Sequence, residues 1–126
     1  MAKTVAIVDD SKYTIDLLSK FFKEKMRFDV VGFGFDGNAG IDLYRKFKPD
    51  LITTDIVMPN KEGVTVIKEI IEEFPKARIL IISGAQGDVL IECIQAGAID
   101  VIKKPLAFND AIFCEAFKDI VTRIFT

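Results

Sequence analysis

Asp9 and Asp10 close the apolar run Val5-Ala6-Ile7-Val8, and Asp55 closes Leu51-Ile52-Thr53-Thr54. Ser83 stands at the same kind of position after Ile79-Leu80-Ile81-Ile82. Lys104 follows Ile99-Asp100-Val101-Ile102-Lys103. Carboxylates that meet in one place repel unless a cation or a chemical task holds them together. Oxygen donors suit hard cations, and Mg2+ takes one or two carboxylates while keeping several waters. Asp9 and Asp10 fit that role and leave Asp55 free to react. A carboxylate can attack phosphorus and form an acyl phosphate, a transfer that needs mainly positioning and charge neutralisation. In such chemistry the Lys104 ammonium offers a second positive contact and the Ser83 hydroxyl a hydrogen bond.

Five apolar runs, near Val5, Val30, Leu51, Ile79 and Ile99, read as strands. Segments of helical period separate them. Ile15, Leu18 and Phe22 make one stripe, Val66, Ile67, Ile70, Ile71 and Phe74 another, and Phe113, Phe117, Ile120, Val121 and Ile124 a third. Breaks carry turn chemistry at Asp36-Gly37, Lys48-Pro49-Asp50, Met58-Pro59-Asn60 and Lys104-Pro105. Strands alternating with helices imply a parallel sheet. The runs at Val5, Leu51 and Ile79 are almost wholly apolar, as expected when helices cover both faces. The expectation is an α/β (βα)5 doubly wound domain over residues 1–126 with strand order 2-1-3-4-5. Sites in such sheets form at the carboxyl ends of the strands, where the strand order switches. That order puts Asp9 and Asp10 beside Asp55, with Ser83 and Lys104 on the next two strands outward.

Composition narrows the function. The 126 residues, half of them hydrophobic, suit one domain. A net charge of −2 gives no electrostatic case for nucleic acid or an anionic membrane. No apolar run approaches the ~20 residues that cross a bilayer, and Met1-Ala2-Lys3-Thr4 does not read as a signal peptide. A cytoplasmic location is expected. The chain has no histidine, which excludes a Ser-His-Asp triad, a histidine metal site and a role as histidine phosphodonor. Cys93 and Cys114 read as small core residues.

Ile7-Val8-Asp9-Asp10-Ser11, Pro49-Asp50-Leu51-Ile52-Thr53-Thr54-Asp55, Met58-Pro59 with Gly63, Ile82-Ser83-Gly84, Ala96-Gly97-Ala98 and Lys104-Pro105 follow one another along the chain. In that order and spacing the sequence resembles the receiver domains of response regulators, and within them the CheY-like single-domain regulators. The resemblance spans essentially the whole chain. It implies that Asp55 is the phosphoacceptor and also a metal ligand, that Asp10 ligates Mg2+ directly and Asp9 mainly through water, and that the Val57 carbonyl is a further ligand. One ion is implied, for which Mn2+ could substitute. Ser83 takes the place of the hydroxyl that bonds the phosphoryl group, Lys104 that of the pairing lysine, and the Lys104-Pro105 bond is cis in the family. Such a domain catalyses its own phosphorylation, from phosphohistidine or small acyl phosphates, and its own dephosphorylation.

The resemblance also implies partners. A sensor histidine kinase is the donor, and a phosphatase is a further partner. The output protein is a flagellar motor switch or comparable chemotaxis target. The alternatives are a carrier that passes phosphate to a histidine phosphotransfer protein and a receiver cut from a larger regulator. The face of the fourth helix, fifth strand and fifth helix is where the family meets targets or a second receiver, which leaves a monomer or weak homodimer. Two other chemistries fit less well. A haloacid-dehalogenase-type phosphatase wants a second Asp two residues after the first, where this chain has Val57. A flavodoxin cradles phosphate after its first strand, where Asp9-Asp10 would repel it.

Some positions depart from the family pattern. Val101 stands where many receivers place Tyr or Phe, and a β-branched side chain has no ring to swing. Signalling would then rest on the Ser83 loop and on the fourth helix. Val57 and Ala85 flank the expected water route and cannot orient it, which points to a long-lived acyl phosphate. Apolar residues on the last helix, from Ile112 to Phe125, cover more than the ~100° one buried face needs. Either a partner strip or a folded-back end explains them. Simpler readings serve elsewhere. A lone Asp can be only a helix cap, Lys103 is a solvated charge, and Asn38, Asn60 and Gln86 are surface residues. Tyr13 and Tyr44 are expected to pack.

Overall fold

The computed structural model describes residues 2–126. Five strands, β1 (Thr4–Val8), β2 (Asp29–Gly34), β3 (Leu51–Thr54), β4 (Ile79–Ser83) and β5 (Asp100–Lys103), form one sheet in the order β2-β1-β3-β4-β5. All paired neighbours are parallel. Helices α1 (Lys12–Lys25), α2 (Gly37–Phe47), α3 (Gly63–Glu73), α4 (Asp88–Ala96) and α5 (Ala111–Ile124) connect or follow them. None of these helices is long and apolar enough to cross a membrane.

The apolar strands divide their side chains between two cores, because successive residues of a strand point to opposite faces. Val5 and Ile7 join Leu18 and Phe22 of α1 and Phe117 and Val121 of α5. Ala6 and Val8 join Ile41 and Tyr44 of α2, Val66, Ile67 and Ile70 of α3, and Cys93 of α4. Each fully buried aliphatic or Phe side chain contributes roughly 1.5–3 kcal/mol. Double coverage therefore explains runs with no polar alternation.

Local signals end the elements where the sequence suggests. Ser11 caps α1, its hydroxyl accepting from the Thr14 N–H, and Asp36 and Asp110 cap α2 and α5. Aromatic packing fixes the segment after Lys104. Phe108 stacks on Phe21 at 4.2 Å and meets Phe117 edge-on at 5.2 Å. The folded-back reading of the last helix holds at Phe125, whose ring lies under Lys3 and Arg78 at 4.4 and 4.9 Å. Ile112, by contrast, is 82% exposed. Tyr44 packs as expected, but Tyr13 does not: it is 73% exposed. Ile15 and Leu18 lie on the buried face of α1, and Tyr13, two positions before Ile15, points away from it.

Candidate phosphoryl-transfer and metal site

The sheet order brings the five predicted residues to one edge. Asp9 extends β1, its N–H donating to the Gly34 carbonyl at 3.0 Å. The Asp55 N–H reaches back to the Val8 carbonyl at 3.3 Å, so the two acids leave adjacent strands side by side. The Lys104 N–H donates to the Ser83 carbonyl at 3.0 Å and ties the ends of β4 and β5 together. The Lys104-Pro105 peptide is cis, as the resemblance implies.

Lys104 Nζ donates to Asp55 Oδ2 at 2.8 Å and to Asp9 Oδ2 at 2.9 Å. The second Asp55 oxygen accepts from the Ile56 N–H at 2.6 Å, and the second Asp9 oxygen from the Ser11 N–H at 2.9 Å. Asp9 is only 1% exposed, whereas Asp10 lies in the open. One oxygen from each of Asp9, Asp10 and Asp55 lies within 4.8 Å of the other two. Ser83 is buried, and its Oγ accepts from the Ala85 N–H at 3.1 Å.

Two buried carboxylates share one ammonium, so the cluster carries uncompensated negative charge. Burial pushes the Asp9 carboxyl above its usual range, and the hydrogen bonds from Lys104 and Ser11 do not cancel that. Burial acts to lower the Lys104 ammonium. Its bonds to Asp55 and Asp9 outweigh burial and hold it above the ordinary lysine value. Asp9 resists ionising chiefly because it is buried, and Lys104 keeps its proton because two carboxylates hold it. The donors are oxygen only, and one of the three carboxylates faces solvent. That set fits a hard divalent cation that keeps part of its water shell.

The turn after Asp55 is tightly built. The Gly63 N–H donates to the Ile56 carbonyl at 2.7 Å. A Cβ on Gly63 would lie 2.6 Å from the Asp55 carbonyl oxygen, so only glycine lets α3 begin there. Met58 is buried beneath the turn, and Val57 is 71% exposed. Ala85 and Val101 are half-buried, and Lys103 points to solvent. Two contacts escaped the reading of the sequence. One is the Lys104–Asp9 bond. The other joins Asn60 Nδ2 to Asp36 Oδ2 at 2.7 Å. Asn60 was expected only as a surface residue, and the one signal available was its place in a Pro-Asn turn.

This fold and edge define an α/β domain that gathers three carboxylates, a hydroxyl and a lysine at its strand switch point. The family model described as the response regulator receiver domain matches residues 5–113, and the chain belongs to that family. The chemotaxis protein CheY of Thermotoga maritima is 39% identical over 106 residues, covering 83% of this chain and 88% of that protein. A protein-glutamate methylesterase/protein-glutamine glutaminase of Geobacter sulfurreducens is 33% identical over 101 residues, 80% of this chain and 27% of that protein. Among solved structures, a chain of the CheX-CheY-BeF3-Mg2+ complex from Borrelia burgdorferi superposes with a TM-score of 0.89 at 28% identity. The match covers 98% of this chain and 90% of that one. Receiver domains hold Mg2+ at an acidic cluster of this kind, and membership implies a histidine kinase and an output partner.

Proposed function

We propose that Asp55 accepts a phosphoryl group from a kinase phosphohistidine and that the phosphorylated chain signals by protein contact, in chemotaxis or motility. A carboxylate oxygen of Asp55 attacks phosphorus of the ring-protonated phosphohistidine, the P–N bond breaks with its electrons going to nitrogen, and the histidine leaves as neutral imidazole. The product is an acyl phosphate on Asp55. Lys104, already at Asp55 Oδ2, is placed to neutralise the incoming phosphoryl oxygens. Ser83 Oγ would exchange its bond from Ala85 for donation to a phosphoryl oxygen, drawing in the loop that leads to α4. Asp9, Asp10 and the Val57 carbonyl would hold Mg2+, which when bound supplies positive charge to those same oxygens.

The contact of Lys104 with both Asp9 and Asp55 carries this reading, because it joins three separate strand ends around the proposed acceptor. The chemotaxis assignment rests on relatives of similar length that are chemotaxis proteins. The match to a quarter of a longer methylesterase supports a second reading, a receiver within a larger regulator. We assign residues 1–126 to one receiver unit acting in the cytoplasm. Wild-type protein should take up label from acetyl phosphate with Mg2+, and Asp55→Asn should not. Stoichiometric labelling of Asp55→Asn with the usual acyl-phosphate lability would overturn the mechanism. A pull-down with beryllofluoride and Mg2+ then identifies the output. A motor-switch prey supports the chemotaxis role, and a histidine phosphotransfer protein points to a relay.

A further inference from the structure

The turn that follows Asp55 contains a conformation that needs an explanation. The Lys61 N–H donates to the Pro59 carbonyl at 2.8 Å, which closes a three-residue turn centred on Asn60. Asn60 has φ +69°. A γ-turn with positive φ at its centre is rare and strained. Asn tolerates the left-handed region better than most residues. Strain of this kind persists only where the surroundings over-determine it, and it concentrates at functional sites.

The surroundings here come from a different element. Asn60 Nδ2 donates to Asp36 Oδ2 at 2.7 Å, while Asp36 Oδ1 accepts from the Ala39 N–H at 2.8 Å and caps α2. Both bonds favour the ionised carboxyl and hold Asp36 below its usual range, the Ala39 bond more than the Asn60 bond. Beside them the loop presses on bare backbone. A Cβ on Gly37 would lie 2.5 Å from the Lys61 carbonyl oxygen and 2.7 Å from Lys61 Cβ. The tip of the β3–α3 turn is thus latched to the start of α2. Its other end is fixed by the Gly63–Ile56 bond, and Val57 and Met58 lie between the two anchors.

We propose that Asp36 and Asn60 are positioning residues for the site at Asp55: their latch holds the β3–α3 turn strained and sets the backbone at Val57. The inference rests on the phosphoreceiver reading, in which the Val57 carbonyl is a metal ligand. Neither residue touches the reacting atoms. They act by keeping one carbonyl aimed at the cation before it arrives, as outer partners of metal ligands do.

Isothermal titration of metal-free protein with Mg2+ tests this, alongside thermal unfolding in EDTA. Asn60→Gly accommodates positive φ and deletes only the amide, so the fold should survive. We expect its Mg2+ dissociation constant to rise about tenfold. Asn60→Asp should break the latch by placing two carboxylates together. Combining it with Asp36→Asn exchanges donor and acceptor at unchanged net charge, still caps α2, and should restore affinity to near wild type. Asn60→Gly with affinity within about twofold of wild type would overturn the latch. So would a loss in Asn60→Asp that the exchange fails to restore. Wild-type protein that bound no Mg2+ and took no label on Asp55 would instead overturn the phosphoreceiver reading and this inference with it.

Discussion

Lys104 Nζ sits 2.9 Å from Asp9 Oδ2, so the lysine occupies an acid proposed to serve the cation as well as the acid proposed to react. A cation binding at Asp9 must therefore compete with the ammonium. Two unit charges about 4 Å apart interact by ~1 kcal/mol even at the dielectric of water, which is roughly fivefold in affinity. Lys104→Met should tighten Mg2+ binding by about that factor while slowing phosphorylation by acetyl phosphate. Calorimetric titration checks the first effect, and unchanged or weaker binding would show that the lysine does not compete.

Asp9 should destabilise the metal-free fold at neutral pH. Its folded-state pKa is raised above the ordinary 3.8, so the folded protein binds that proton more tightly than the unfolded chain. Stability then falls as pH rises from 3.8 through the raised pKa, and above it the penalty is complete. Asp9→Asn should unfold at a higher temperature than wild type at pH 7 in EDTA. The gap should narrow as pH is lowered through that window. A lower midpoint for the variant at pH 7 would show that the Lys104 bond outweighs burial.

Thr53 Oγ1 is buried within β3 and makes no hydrogen bond. A buried hydroxyl without a partner carries its desolvation cost uncompensated. Thr53→Val keeps the branched shape and removes the polar atom, and should stabilise by about 1 kcal/mol in urea unfolding with an unchanged m-value. Destabilisation would mean that the hydroxyl is satisfied in solution.

Val57 leaves its side chain 71% exposed beside Asp55 and offers no polar group to a water approaching an acyl phosphate. Val57→Asn should therefore speed the loss of phosphate. Equal or slower decay of labelled protein would locate the control of lifetime elsewhere, with Ala85 the next position to change.

The strands could be read in advance because their signals are local, whereas their order is non-local and came from the common topology of doubly wound sheets. Runs such as Ile79–Ile82 need no partner to declare themselves, and polar residues that interrupt the C-terminal ends of such runs declare the site. Which acid is buried was not legible. Asp9 and Asp10 are neighbours of one type, and only the alternation of side chains at the strand end hides the first and exposes the second. The Asp36–Asn60 bond spans two loops with no shared period, so nothing in the spacing announces it. Tyr13 misled because an aromatic near an apolar stripe suggests packing, whereas its position on the wheel decides.

Phe108 moors the segment after Lys104 to the hydrophobic half made by α1 and α5, while Ile56 and Met58 moor the turn after Asp55 to the half made by α2, α3 and α4. The ion pair between Lys104 and Asp55 is therefore a suture across the sheet, with each thread end anchored in a different hemisphere. Any chemistry that breaks or replaces that stitch would therefore act on segments anchored in both helical layers at once.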